Sequence, residues 1–236
     1  MKKKNNTALY LSLTILALIW LVPIVTVFIT SLKSNSDFFS GMGLFDLPEK
    51  LQWHNYSDAW SKGHLDRYIR NGLIVTCLKV PISVFISSLL AFALTRLHVR
   101  HARGIFIFVL IGMMLPQQAA LIPLNIVYSR AGLTNTYYCL ILTYLGFGIP
   151  LAKPAIASAV IMDFLYTWNE FMLQSVLITT DTMKTVPNGL LSFFGEFTVD
   201  YGLLNAGVLI SILPVFLVYL IFQKYFVSGM AGAVKG

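Results

Sequence analysis

The chain is a succession of long apolar runs separated by short polar connections. The runs cover about 7–30, 71–95, 104–128, 137–178 and 203–227. One helical crossing of a bilayer takes about 20 apolar residues, so four of the five predict single transmembrane helices. None shows the ten-residue polar–apolar alternation of a membrane barrel. The first run follows Met1-Lys2-Lys3-Lys4 and ends at Ser31-Leu32-Lys33. It is longer than a signal-peptide core and lacks a small-residue cleavage site, which predicts a retained helix, bent at Pro23. The run 137–178 is about twice too long for one crossing and contains almost nothing to mark a turn.

Composition agrees with a chain built almost wholly of membrane segments. Of 236 residues, 57% are hydrophobic and 11% charged, against about 25% charged in soluble domains, and the mean hydropathy is +0.74. Cys77 and Cys139 both lie in apolar surroundings and predict no disulfide framework. The net charge of +7 would suit nucleic acid if it were clustered on a soluble face. Instead it marks orientation: three lysines open the chain, and three arginines fill the acid-free link 96–103. Both belong in the cytoplasm by the positive-inside rule. The connection 33–70 balances five basic with five acidic residues, and 179–202 carries Asp181, Glu196 and Asp200 against Lys184; these belong outside. The acid-free end, with Lys224 and Lys235, belongs inside. Since the links before Tyr137 and after Ile178 are both external, the run between them must cross twice. A first arm ending at Pro150 would reach only about 21 Å at 1.5 Å per residue, short of a core about 30 Å thick, and no hairpin follows it.

Polar groups inside these runs are the candidates for function. Asp163, Thr167, Glu170 and Gln174 fall at i, i+4, i+7 and i+11, which on one continuous helix makes a single stripe opposite Leu165, Trp168 and Met172. Ionisable side chains at membrane depth face a bundle or a watery cavity, so the stripe reads either as a pathway or gate, or as a structural network bonded to neighbouring helices. In Leu115-Pro116-Gln117-Gln118, with Pro123 downstream, prolines interrupt the helix near mid-membrane and Gln117 and Gln118 supply polar groups beside the freed carbonyls. Such breaks line substrate routes in transporters, or are simply packed kinks. Lys79 is expected to snorkel to the outer interface. Asn55 to Asn71 reads as a surface amphipathic helix or a packed loop, and Asn55-Tyr56-Ser57 matches the glycosylation sequon weakly. His98 and His101 sit in an arginine-rich link and read as a solvated basic face; no metal site is predicted. There is no P-loop and no hydrolase or metalloprotease motif.

Across nearly its whole length the chain resembles the inner-membrane permease subunits of carbohydrate-importing ABC transporters, the maltose-type family. The resemblance lies in Gln52-Trp53-His54-Asn55-Tyr56, Ala91-Phe92-Ala93-Leu94-Thr95-Arg96, Leu115-Pro116-Gln117 with Ile122-Pro123-Leu124, and Gly132-Leu133-Thr134-Asn135-Thr136. It continues in Thr167-Trp168-Asn169-Glu170-Phe171 and the ending Gly232-Ala233-Val234-Lys235-Gly236. It implies an all-α integral membrane fold, a bundle of six transmembrane helices forming one domain over 1–236, with the fourth and fifth spans at about 137–150 and 154–178. The family carries between those spans a cytoplasmic segment with a Glu-Ala-Ala signature that docks into the ATPase. That signature is absent here, and the hairpin is missing at the join Pro150–Leu151.

The resemblance further implies a binding-protein-dependent importer of sugars or oligosaccharides in a bacterial plasma membrane, multi-pass, with both termini cytoplasmic. Its expected partners are a second permease subunit, two cytoplasmic ATPase subunits, an extracytoplasmic sugar-binding protein and the lipid bilayer. The chain has no catalytic site or cofactor of its own; ATP and Mg belong to the ATPase. The loop with Asp181, Lys184, Glu196 and Asp200 is expected to meet the binding protein, and the tail Gly232 to Gly236 the ATPase. A membrane scaffold without a pathway, and a proton- or ion-coupled carrier using Asp163 and Glu170, are the alternatives.

Overall fold

The computed structural model describes residues 7–147, 156–195 and 199–234. Among them the chain is helical, without a β-strand beyond an isolated bridge between Phe194 and Val199. The join at Pro150–Leu151, the lysines of the N-terminus, Glu196, Lys235 and Gly236 lie outside the described residues. The chain forms two compact units, Met1–Gly63 with Ser192–Ile210, and His64–Leu191 with Ser211–Gly236.

In the first unit, α1 (Thr7–Ser31) buries only Thr30 and Ser31, as befits an apolar helix surrounded by lipid. Pro23 lies within it without ending it. After it, a capping box at Ser34 and Asp37 starts the short α2 (Asn35–Phe39). Hydrogen bonds from the Ser34 hydroxyl and backbone N–H hold the Asp37 carboxyl below its ordinary pKa. A further helix, α3 (His54–Ser61), is fixed by Asn55, whose Nδ2 donates to the carbonyls of Ser31 at 2.9 Å and Lys33 at 3.0 Å. Asn55 is therefore a buried structural residue, and its amide nitrogen is committed to backbone. Gly202 passes so close to the Lys33 carbonyl and Asn55 that a Cβ there would collide with them.

The second unit begins with α4 (Leu65–Arg96), 32 residues and about 48 Å long. The surface helix expected over 55–71 is thus divided: α3 ends at Ser61, His64 turns through a left-handed φ of 54°, and Leu65, Tyr68 and Ile69 are buried as the first turns of α4. Next come α5 (Ala102–Met114) and α6 (Gln117–Arg130), bent by 88° at the break between them. Pro116 makes that break, with an extended ψ of 123°, because it has no N–H to continue the ladder. Pro123 does not interrupt α6.

Within the expected fourth span, α7 (Tyr137–Phe147) has 11 residues. Within the expected fifth, the chain forms two helices, α8 (Ile156–Trp168) and α9 (Met172–Leu177). Val75, Cys139, Leu140, Tyr144, Leu173, Leu177 and Ile178 form a buried apolar cluster between α4, α7 and α9. The short α10 (Val186–Gly189) follows; Gly189 packs on Tyr68, whose ring occupies the place of a Cβ. The last helix, α11 (Tyr201–Val234), begins in the first unit and ends in the second. Among the described residues, three helices, or four spans with the bent pair counted as one, are long and apolar enough to cross a membrane.

Candidate functional site

Lys79 of α4 and Asp163 of α8 form a buried ion pair, the ammonium donating to Asp163 Oδ1. The expected snorkelling is therefore not what Lys79 does: it is fully buried and turned into the bundle, where a carboxylate is a better partner than the distant interface. Its ammonium also stands 5.9 Å from the ring centroid of Tyr166, within cation–π range. Thr167 donates to the Asp163 backbone carbonyl at 2.8 Å, satisfying its hydroxyl within its own helix. Asp163 Oδ2 is buried without a partner.

The polar stripe does not lie on one continuous helix. The helix ends at Trp168, and Asn169 to Phe171 are non-helical, so the 100° spacing fails before Glu170. Glu170 instead caps the helix that follows. Its Oε1 accepts the N–H of Leu173 at 2.8 Å, and its Oε2 accepts the N–H of Gln174 at 3.2 Å and the hydroxyl of Tyr144 at 2.7 Å. A carboxylate at a helix N-terminus is favoured by the orphan N–H groups and the helix dipole. Gln174 in turn bonds Thr185 through its amide nitrogen at 2.6 Å and its carbonyl oxygen at 2.8 Å. All four stripe residues are buried and engaged with the chain itself.

The second break stands beside the first. Gln117 Nε2 donates to the Tyr166 hydroxyl, Gln118 Nε2 to the Met172 sulfur at 3.6 Å, and Asn125 Nδ2 to the Val176 carbonyl at 2.7 Å. These bonds lay α6 along α9. Where the breaks meet, Gln118, Tyr166, Asn169, Phe171 and Met172 are exposed. Tyr166 and Lys79 are the site residues that spacing alone does not reveal; each acquires its role from a residue on another helix.

Near its N-terminal end, α4 fastens the 179–185 loop. Asn71 Nδ2 donates to the carbonyls of Thr182 at 2.9 Å and Lys184 at 2.8 Å, and its Oδ1 accepts from the Tyr137 hydroxyl at 2.8 Å. Asn135, in a left-handed conformation, accepts the N–H of Thr179 at 2.7 Å and Thr180 at 2.8 Å. Asp181 and Lys184 pair at 3.1 Å, and Tyr68 donates to Asp181 at 2.9 Å. Partial burial pushes the Asp181 carboxyl up, but the bonds from Lys184 and Tyr68 outweigh it and hold it below its ordinary pKa. Asp200 belongs to the first unit, where it accepts the Leu203 N–H at 2.9 Å and caps α11. Gly232, Ala233 and Val234 are the last helical residues of α11.

Comparison with known proteins places these features among transporter subunits. The chain is 31% identical to the probable ABC transporter permease YurM of Bacillus subtilis (strain 168), over 97% of this chain and 86% of that one. It is 28% identical to the arabinooligosaccharides transport permease AraQ of the same organism, over 97% of this chain and 95% of the relative. The melibiose, raffinose and stachyose import permease MelC, also from that organism, is 25% identical over 100% and 99% of the two chains. A chain from the crystal structure of a bacterial ABC transporter that imports the acidic polysaccharide alginate has the same fold. Its TM-score is 0.73, with 20% identity over 96% of this chain and 99% of that one. No protein-family model matches the chain.

Proposed function

Because the chain belongs to the permease subunits of carbohydrate-importing ABC transporters, we propose that it forms half of a passage for a neutral sugar or oligosaccharide across a bacterial plasma membrane. The observation that carries this reading is the pair of abutting helix breaks. Asp163 is paired with Lys79 and Glu170 is hydrogen-bonded within the chain, while Gln118, Asn169 and the rings of Tyr166 and Phe171 stay exposed. Gln117 and Gln118 line the passage, and Asp163, Thr167, Glu170 and Gln174 hold the breaks in place behind it, as the inner wall of the gate. An ion-coupled carrier would need Asp163 or Glu170 free to exchange a proton or cation, whereas both are committed to internal partners. A scaffold accounts for the bonded stripe but leaves the open amides without a purpose.

The subunit works in a complex. A second, non-identical permease completes the passage, and two cytoplasmic ATPases bind ATP and Mg, since this chain has no P-loop. An extracytoplasmic sugar-binding protein delivers the cargo to the loop of Asp181, Lys184, Glu196 and Asp200. The loop's fastening by Asn71 and Asn135 suits a docking surface shaped before its partner arrives. The tail Gly232 to Gly236 faces the ATPase pair, and both termini are cytoplasmic. Cells deprived of this subunit are expected to lose ATP-dependent uptake of labelled saccharides, tried as melibiose, raffinose and diacetylchitobiose. Undiminished uptake of every sugar the parent strain accumulates would refute the assignment.

The missing cytoplasmic hairpin of the six-helix reading draws support from the length of the alignments. The one with MelC runs over 275 positions while covering all 236 residues here, which leaves 39 positions of that alignment without a counterpart in this chain. A coupling helix of about three turns, its connections and the rest of one crossing need at least about 20 residues. The native subunit is therefore expected to exceed 26.4 kDa by intact-mass measurement. A mass of 26.4 kDa, in a complex whose ATPase still responds to the binding protein, would remove the coupling segment from this account.

A further inference from the structure

We infer that the open face where the two helix breaks meet binds a sugar ring directly, with Tyr166 as its stacking platform and Gln117, Gln118 and Asn169 as hydrogen-bond partners for its hydroxyls. This rests on the carbohydrate-importer reading above and assigns the contact to this subunit's own residues.

Depth comes first. The helix leading to the first break, α5, has 13 residues, so that break lies about 20 Å along it, inside a hydrocarbon layer about 30 Å thick, and the Gln117–Tyr166 bond sets the second break beside it. Non-helical backbone and open carboxamides at that depth are tolerated only where they meet protein or a water-filled cavity. The exposed Gln118 and Asn169, the latter with its Nδ2 also donating to the Leu165 carbonyl at 2.8 Å, therefore mark a wall that does not face lipid.

Charge narrows what the wall recognises. The two carboxylates nearest it are both turned inward: Asp163 is paired with Lys79, and Glu170 is bound by two backbone N–H groups and the Tyr144 hydroxyl. The face itself offers amides, a phenol and aromatic carbon. Carboxamides both donate and accept, as vicinal hydroxyls require, and a face without free charge gives ions no counter-charge.

The ring is prepared for contact. Tyr166 is 38% exposed and Phe171 41%. The hydrogen bond from Gln117 fixes the phenol edge of Tyr166, Lys79 stands over one face of its ring, and the other face is left to pack on the apolar C–H surface of a pyranose. Gln118 donates only to the thioether of Met172, at 3.6 Å. Sulfur is a weak acceptor, so a hydroxyl oxygen readily replaces it.

The test uses the complete transporter, with Cys77 replaced by serine and uptake measured for two labelled saccharides that the wild type accumulates from melibiose, raffinose, stachyose and diacetylchitobiose. Tyr166→Ala is expected to lower uptake by about tenfold, the scale of one lost aromatic contact, and to change the ratio between the two sugars. Tyr166→Phe, which keeps the ring, should retain most of the activity and the original ratio. Asn169→Cys should react with a cationic methanethiosulfonate in the assembled transporter, and saturating sugar should slow that reaction. If Tyr166→Ala scales both sugars equally, the residue only supports the fold and the inference fails. It fails also if Asn169→Cys is unreactive, because the partner permease then covers the face. A wild type that accumulates none of these saccharides overturns this inference and the importer reading together.

Discussion

Cutting the Lys79–Asp163 pair at one end is expected to do far more damage than deleting it. Lys79→Met alone leaves a buried carboxylate, and Asp163→Leu alone leaves a buried ammonium, each between α4 and α8. Breaking a buried pair in this way costs about 3–5 kcal/mol, whereas replacing both partners with apolar side chains of similar size is close to neutral. Thermal unfolding of the detergent-solubilised complex should therefore show two badly destabilised single variants and a double variant, Lys79→Met with Asp163→Leu, near the wild type. A double variant as unstable as the singles would mean that the two charges do more than neutralise each other.

Glu170 should be graded differently, because it serves three donors at once. Glu170→Leu removes the acceptor for the N–H groups of Leu173 and Gln174 and for the Tyr144 hydroxyl, at about 1–3 kcal/mol for each donor left buried. Uptake is expected to be abolished. Glu170→Gln keeps one acceptor oxygen and should retain part of the activity. Tyr144→Phe leaves the backbone cap whole and should retain most of it. Uptake measured beside the amount of assembled complex gives the order. A glutamine variant as inactive as the leucine one would show that the negative charge, rather than the cap, is what transport needs.

These two sites also show what could be read from the sequence. The membrane class, the approximate position of the apolar runs and the break at Pro116 were all legible, since hydropathy and a missing N–H act locally. The break between Trp168 and Met172 was not. No proline or glycine marks it; the helix stops where the Glu170 carboxylate folds back onto the next backbone amides, with Tyr144 of another helix helping to hold it. Asp163 through Gln174 therefore looked like one stripe. Lys79 was misread for a related reason: its distance from the interface is a property of its own span, but its partner lies on α8. Tyr166 carried no signal beyond being aromatic near polar neighbours. Local chemistry was readable, and long-range pairing was not.

The same ion pair has a consequence for how the protein is made. Lys79 precedes Asp163 by 84 positions, and synthesis proceeds at about 5–20 residues per second. The lysine thus waits at least about 4 s for its counter-charge, longer by the time needed to make the cytoplasmic hairpin. Throughout that interval the nascent α4 carries a lone cation at membrane depth, where its free energy is unfavourable by about 2.5–3.5 kcal/mol on the insertion scale. That cost favours keeping the helix at the insertion machinery or at a watery edge until α8 arrives, so electrostatics biases the order in which the helices are released into lipid.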